Sequence, residues 1–117
     1  MISVRRIYDQ PDPGEGYKIL VDRLWPRGIS KEKAGCNEWM KNVAPSNELR
    51  IWYSHDHSKW KEFKELYRKE LKGKSEAIAR LKELEKQHGQ LTLLYSSTER
   101  ELNNAVALKE ILTEHDK

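Results

Sequence analysis

The apolar run in residues 17–24, YKILVDRL, is the feature that most constrains the fold of this chain. Tyr17, Ile19, Leu20 and Val21 stand almost in a row instead of alternating with polar residues. Alternation is typical of a strand with one solvated face, whereas a nearly continuous apolar run is typical of a strand buried on both faces, as in a parallel sheet. Residues 17–24 therefore predict a doubly buried strand.

Strand and helix patterns alternate along the rest of the chain. Residues 2–8 (ISVRRIY) and 91–95 (LTLLY) predict two further strands, and residues 9–16, with two prolines and two glycines, predict a loop. Caps and apolar spacing predict helices in six places: 31–33 after Ser30; around Trp39 and Met40, ending at Ala44; after Ser46; along Trp60, Phe63, Tyr67 and Leu71 to Gly73; from Ser75 to Gly89; and from a Thr98–Glu101 capping box to residue 112. Strands followed by helices predict an α/β layered domain with a small, mostly parallel sheet.

The bulk composition limits the class of protein. A chain of 117 residues is long enough for one domain and too short for two, so we expect a single domain over residues 1–117. One cysteine, Cys36, excludes an internal disulfide and fits a reducing cytosol. No apolar run reaches membrane-spanning length and the N-terminus lacks a signal-peptide core, so we expect a cytoplasmic protein without membrane contact.

The charge balance discriminates little between partners. Lys and Arg number 22 and Asp and Glu number 19, which gives a net charge of +3. Nucleic-acid binders often carry a larger excess, although a local basic patch can lie within a modest total.

The predicted topology brings three loops to one edge of the sheet. They follow the three strands and read DQPDPGEG (9–16), WPRGIS (25–30) and SSTERELNN (96–104). Ligands of open α/β sheets usually bind at the edge where the strands end. A binding site is therefore predicted among these loops.

Two arginines flank the Trp-Pro turn of the middle loop. Arg23 and Arg27 offer planar forks of donors that suit a phosphate or a carboxylate, and they predict an anion clamp. The alternative is that Arg23 pairs with Asp22 or Glu15 while Arg27 lies in solvent.

The neighbours of these arginines have supporting roles in this prediction. Trp25 is interpreted either as a stacking surface for a ligand or, preferably, as the side chain that closes the core at the sheet edge. Asp22 is interpreted as the ion-pair partner that positions an arginine (Arg5, Arg6 or Arg23), and the alternative is an acid or base of raised pKa. Gly28 would permit a close approach of the backbone to a ligand or another chain.

The last loop precedes a predicted helix N-terminus, whose free amides and positive dipole attract anions. Ser96 and Asn103 are therefore predicted to orient the ligand. The alternative is simple helix capping by Thr98 and Glu101.

Motifs for metals, cofactors and nucleophilic catalysis are missing. The three adjacent residues His55, Asp56 and His57 cannot easily converge on one ion, and no companion ligand pair is present, so no metal site is predicted. No nucleotide-binding or nucleophile-elbow motif occurs, so no cofactor is predicted and no catalytic residue is assigned. The sequence leaves open whether the protein is an enzyme.

Four segments together give the chain a family resemblance. They are GYKILVDRLWPRG, APSNELRIW, HDHSKWKEFKELYRKEL and LTLLYSSTERELNNAVAL, and they resemble the short YeaO-like branch of the DUF488 family in the expected order. The resemblance implies a three-layer, Rossmann-like α/β fold with helices packed on both faces of the sheet.

The resemblance also marks individual positions. Residues 22–28 match the family's DRLWPRG, Asn103 matches the asparagine before its final alanine-containing segment, and His55 matches the pattern as a residue at the edge of the site. Leu102 stands where relatives often carry His or Gln, which argues against a histidine general base in the last loop.

Three functions follow as hypotheses. The favoured one is a protein that binds, and could turn over, an anionic small molecule through Arg23, Trp25, Arg27, Ser96 and Asn103. The first alternative is a nucleic-acid-binding module built from basic residues around Trp25, namely Arg5, Arg6, Arg23, Arg27, Lys31 and Lys33. The second alternative is an interaction domain or homodimer joined through Trp52 and Tyr53; the sequence leaves monomer and homodimer open.

Overall fold

The computed structural model describes residues 1–114 and shows an α/β domain. The four strands in this range are β1 (Ile2–Arg6), β2 (Tyr17–Leu20), β3 (Glu38–Trp39) and β4 (Leu91–Tyr95). The five α-helices are α1 (Lys31–Ala34), α2 (Asn47–Tyr53), α3 (Trp60–Lys72), α4 (Ser75–His88) and α5 (Asn104–Glu114), and 3₁₀ turns span Lys41–Val43 and His57–Lys59. None of these helices is both long and apolar enough to cross a membrane.

The four strands form one parallel sheet in the order β1-β4-β2-β3. Leu91 at the start of β4 is in register with both Ile2 of β1 and Tyr17 of β2. All five residues of β4 are buried, as the apolar sequence LTLLY requires in an inner strand of a parallel sheet. The predicted fold class is confirmed, and all four strands end at the same edge.

Helices cover the two faces of the sheet unequally. Because successive strand residues point to opposite faces, Leu93 belongs to one apolar cluster and Leu94 to another. The larger cluster packs the sheet against α2, α3, α4 and α5. The smaller cluster lies on the other face, where Ala34 of α1 meets Leu20 and Leu94.

Local signals place several helices where the sequence predicts them. The Ser30 and Ser46 hydroxyls accept hydrogen bonds from the Lys33 and Leu49 amides, each at 3.1 Å, and cap α1 and α2. The predicted stripe on α3 is buried at Phe63, Tyr67 and Leu71, which follow one another at intervals of one turn and pack on the core.

Two predicted elements are wrong. Trp39 and Met40 do not lie in a helix. Trp39 belongs to β3 and is in register with Leu20 of β2, and the Met40 amide donates to the Leu20 carbonyl at 2.9 Å. The last helix begins at Asn104 and not at the Thr98–Glu101 box. At β3 a contact with a distant strand outweighs the local pattern, and at α5 the Asn103 side chain supplies the cap in place of the predicted box.

An ion pair is buried on the face of the sheet that carries the smaller apolar cluster. The Arg5 guanidinium on β1 donates to both carboxylate oxygens of Glu15, and each residue is 8% exposed. Arg5 also donates to the Asp9 carbonyl at 2.9 Å, and the Thr92 hydroxyl of β4 donates to the Glu15 carbonyl at 2.7 Å. This network ties the loop of residues 9–16 to β1 and β4.

We expect Glu15→Ala to lower the free energy of unfolding by about 3–5 kcal/mol, because it leaves the Arg5 charge buried without a partner. Urea unfolding followed by circular dichroism measures this change. Arg68→Ala removes a solvent-exposed ion pair with Glu114 and is the control. It should lower the free energy of unfolding by much less than Glu15→Ala does. Equal losses in the two variants would contradict the structural role given to the buried pair.

Candidate functional site

A cleft of about 680 Å³ opens at the edge where the strands end. Its walls come from Arg6 at the end of β1 and Tyr8 after it, residues 22–27 after β2, Ser96 and Ser97 after β4, and Asn104 at the start of α5. The opposite wall is α2 and its C-terminal turn, with Arg50, Ile51, Tyr53, Ser54 and His55. The predicted loops thus meet at one cavity, except the loop of residues 9–16, which does not line it.

Asp22 holds the base of the cleft together. Its Oδ2 accepts hydrogen bonds from the Ser96 amide at 3.0 Å and from the Ser96 hydroxyl at 2.6 Å. Its Oδ1 accepts from Asn104 Nδ2 at 3.0 Å, and the same amide group donates to the Val21 carbonyl at 3.1 Å. The predicted ion pair of Asp22 with an arginine is wrong, because neutral donors from β4 and α5 occupy both of its oxygens.

Two half-buried arginines face the cleft with part of their guanidinium groups free. Arg23 Nε donates to the Pro45 carbonyl at 3.1 Å, and Arg6 Nε donates to the Ser97 carbonyl at 2.9 Å. Within residues 1–114, neither guanidinium forms a salt bridge with a carboxylate. Each arginine is therefore fixed at Nε while its terminal nitrogens stay available.

Two exposed arginines complete the positive wall. Arg27 has no side-chain hydrogen bond to the described part of the chain, and only its backbone carbonyl is used, by the Tyr8 hydroxyl at 2.8 Å. Arg50 on α2 donates to Asn47 Oδ1 at 2.6 Å. The described lining therefore holds four arginines against one carboxylate, Asp22.

Trp25 and Pro26 form the wall next to these arginines. The Trp25 indole donates to the Ile29 carbonyl at 2.6 Å and packs edge-on against Trp39, with ring centroids 5.2 Å apart. Trp39 in turn donates to the Asp22 carbonyl at 2.8 Å. The preferred interpretation of Trp25 as the closing side chain of the core agrees with these contacts.

Gly28 makes no close approach within the described part of its own chain, and its approach to a ligand or another chain stays a prediction. It has a φ of +74°, which favours glycine, but it is exposed and no atom lies within 4 Å of the position a Cβ would take. Its role is to close the turn after Arg27, and it does not line the cleft.

The sequence assigned a role at the ligand to Asn103, but the structure places Asn104 at the cleft. Asn103 is 1% exposed, and its side chain donates to the Glu99 carbonyl and accepts from the Val106 amide, each at 2.9 Å. It caps α5 and does not line the cleft, so its predicted position at the ligand is wrong. Asn104 lies there instead. No sequence signal indicated it, because the predicted helix began at the Thr98–Glu101 box and placed Asn104 inside it.

The α2 wall ends in a strained turn. Ser54 and His55 have φ values of +42° and +58°, which non-glycine residues rarely adopt. His55 is exposed at the cleft, as predicted for a residue at its edge, and its ring packs edge-on against Tyr53 at 5.9 Å. The Tyr53 hydroxyl donates to the Leu102 carbonyl at 2.9 Å, which ties α2 to the loop after β4.

The surfaces proposed for the two alternative functions lose members. Arg5 is buried with Glu15, and Trp25 is anchored by its indole, so neither lies on an open basic face. Tyr53 is 3% exposed, and the Trp52 ring is covered in part by the Lys59 ammonium at 4.9 Å. Burial could not be seen from the sequence, because each of these residue types also occurs on surfaces.

No metal centre is visible in the described part of the chain. Residues 1–114 contain no group of three His, Cys, Asp or Glu side chains that could hold an ion. His57 Nε2 lies 2.5 Å from Glu99 Oε1 and is engaged away from the cleft.

Comparison with known proteins gives a consistent set of relatives. A sequence model described as "Inactive DUF488-N3 subclade" matches residues 1–117. The uncharacterized protein YeaO of Escherichia coli K12 is 40% identical over 111 residues, which cover 95% of this chain and 96% of YeaO. An uncharacterized protein of Mycobacterium tuberculosis H37Rv is 45% identical over 83 residues, or 71% of this chain and 70% of that protein. No solved structure gives a significant match.

We expect Asp22→Ala to lower the free energy of unfolding by about 1–3 kcal/mol, because the donors of Ser96 and Asn104 would lose their acceptor. Urea unfolding measures the loss. Asp12→Ala, at an exposed carboxylate in the loop of residues 9–16, is the matched control and should change it by less than about 0.5 kcal/mol. An unchanged midpoint for Asp22→Ala would show that the cleft base is held without this carboxylate.

Glu99 predicts a specific acid dependence of stability. The amides of Glu101 and Leu102 and the His57 ring lower the pKa of Glu99 from its ordinary value of 4.5 to about 2. The carboxylate therefore stabilises the folded chain above pH 4.5, and this contribution is lost as the pH falls towards about 2. The melting temperature of Glu99→Gln should lie below that of wild type at neutral pH and converge with it near pH 2.

The control for this measurement is Glu101→Gln, at an exposed carboxylate in the same loop. It should lower the melting temperature at neutral pH by less than Glu99→Gln does, because the Glu101 carboxylate accepts no hydrogen bond from the described part of the chain. A difference for Glu99→Gln that stays constant from pH 7 to pH 2 would contradict the assignment.

Proposed function

This chain belongs to the DUF488 family, and on that premise we propose that it binds an anionic small molecule, a phosphate or a carboxylate, in the cleft at the strand ends. The family assignment agrees with the resemblance of residues 22–28 and of the final segment. The observation that carries the proposal is the charge of the cleft, whose described lining has four arginines and a single carboxylate that is already hydrogen-bonded.

Arg23 is the central residue of the proposed site. Its Nε bond to the Pro45 carbonyl fixes the plane of the guanidinium, so the terminal nitrogens are positioned before a ligand arrives. A fixed fork loses little conformational entropy when it forms two parallel hydrogen bonds to an anion. Arg6 is held in the same way by the Ser97 carbonyl, and Arg27 and Arg50 add charge nearer the solvent.

Ser96 takes a supporting role in this proposal. Its amide and hydroxyl both donate to Asp22, so they hold the base of the cleft and are not directed at a ligand. Asn104 acts alongside it, since its amide group donates to Asp22 and to the Val21 carbonyl.

Binding without turnover fits the side chains of the cleft best. The five described hydroxyl groups there all form hydrogen bonds. Four donate: Ser96 to Asp22, Ser54 to the Ile51 carbonyl, Tyr53 to the Leu102 carbonyl and Tyr8 to the Arg27 carbonyl. The Ser97 hydroxyl accepts from the Glu99 amide. Burial raises the pKa of Tyr53 to about 12, so its phenol stays protonated at neutral pH. Covalent catalysis needs a nucleophile hydrogen-bonded to a base, and His55 forms no such bond to any described residue. The family description as inactive agrees with this proposal.

A thermal-shift series tests the proposal. Wild type is melted with inorganic phosphate, nucleotides and small carboxylates, and a ligand at 100 times its Kd should add about 2.7 kcal/mol to the stability. Arg27→Ala should lose a measurable part of the shift, because one of the four arginines of the lining is removed. It should fold normally, because its side chain has no hydrogen-bond partner within the described chain.

Lys86→Ala is the matched control, since it removes the same charge from an exposed position on α4 outside the cleft lining. It should keep the full shift of wild type. The absence of any stabilising anion, or equal losses in Arg27→Ala and Lys86→Ala, would overturn the proposed function.

A further inference from the structure

The cleft collects exposed apolar side chains as well as arginines. Four large hydrophobic residues are exposed in the described part of the chain, and all but Met1 line this cleft. Leu24 is 64% exposed, Ile51 58% and Tyr8 43%.

These three residues come from separate parts of the fold. Tyr8 follows β1, Leu24 follows β2, and Ile51 lies on α2. Single exposed apolar residues are common on any protein and need no explanation. Convergence of three segments on one concave surface is different, since exposed apolar area that gathers in a groove marks a binding site.

Each exposed apolar residue shares the lining of the cleft with an arginine of the same segment. Leu24 follows Arg23, and Ile51 follows Arg50. The Arg6 guanidinium lies over the Tyr8 ring, 4.6 Å from its centroid. Guanidinium groups and apolar side chains therefore line the same cleft.

We infer that the ligand is an amphipathic anion, with a phosphate or carboxylate head and an apolar or aromatic body. This inference rests on the proposed function and names the class of molecule that the same cleft would take. The arginines hold the head, while Leu24 and Ile51 cover the body and lose their contact with water.

The size of the cleft supports a ligand with a body. Cavities of roughly 300–1,000 Å³ hold small organic ligands, and this one has about 680 Å³. Inorganic phosphate alone would leave most of that space to water and both apolar side chains exposed. An attached apolar group gains affinity by removing that surface from water.

Calorimetric titration of a graded ligand series tests this inference. The series is inorganic phosphate, phenyl phosphate and 1-naphthyl phosphate, with acetate, benzoate and 1-naphthoate as the carboxylate set and 1-naphthol as the neutral compound. We expect 1-naphthyl phosphate or 1-naphthoate to bind at least about tenfold tighter than the head group alone, because about 1.4 kcal/mol of apolar burial suffices for that factor. 1-Naphthol should bind far more weakly than either naphthyl anion.

Variants separate the apolar contribution from the charge. Leu24→Ser and Ile51→Ser should each weaken naphthyl binding by about fivefold to tenfold and change binding of the head group by less than about twofold. Leu24→Met keeps an apolar side chain of similar volume at an exposed position and should restore naphthyl binding.

The outcomes distinguish this inference from the proposed function. If the head groups bind as tightly as the naphthyl anions, the inference is overturned and the proposed function stands. If no anion binds, the inference and the proposed function are both overturned. Light scattering at two concentrations tests whether a second copy of the chain covers this surface instead of a ligand. A wild-type dimer that becomes a monomer in Leu24→Ser would show that it does, and this result would also overturn the inference.

Discussion

The hydrogen bonds of Asp22 are the interaction on which the architecture of the cleft depends. Asp22 lies directly beyond the end of β2, and its side chain binds Ser96, 74 residues later, together with Asn104 of α5. Its backbone carbonyl accepts from the indole of Trp39 in β3. One residue thus joins two inner strands, an edge strand and the last helix at the point where the parallel strands end. A carboxylate in this half-buried place is tolerated because three donors replace its water.

The same bonds explain why the cleft is positive. A carboxylate that accepts neutral donors at both oxygens has no need of an arginine, so Arg23 is left without a carboxylate partner although it is the next residue. Elsewhere the fold does pair its arginines, as with Glu15 for Arg5 and Asp9 for Arg100. The arginines at the strand ends are fixed through Nε to backbone carbonyls, which positions them without cancelling their charge. The proposed affinity for anions follows from this difference in partners.

The sequence predicts the elements that depend on local patterns. The apolar run predicts the burial of Ile19 and Leu20 on opposite faces, but the predicted strand of residues 17–24 is too long, because β2 ends at Leu20 and Leu24 is 64% exposed. The serine caps and the stripe on α3 place three helices. It fails where a distant partner decides. The two-residue strand β3 exists because Leu20 pairs with Trp39. The start of α5 is missed for a local reason, because Asn103, and not Thr98, supplies the cap. The partner of Asp22 could not be predicted either, since the adjacent arginine is the obvious candidate in sequence and Ser96 becomes a neighbour only through the sheet.

Helix α2 forms the wall opposite the sheet and adds both positive charge and apolar surface to the cleft. α2 would be free to move if it were held only by its ends, but the Tyr53 hydroxyl bonds the Leu102 carbonyl and its ring stacks on Phe63 at 4.3 Å. The left-handed backbone at Ser54 and His55 costs about 1–3 kcal/mol per residue, and these contacts of Tyr53 help to offset it. α2 therefore presents Arg50 and Ile51 to the cleft from a fixed position. Because both walls are set before binding, an amphipathic anion would not have to order the site, and the exposed apolar side chains would contribute their burial directly to affinity.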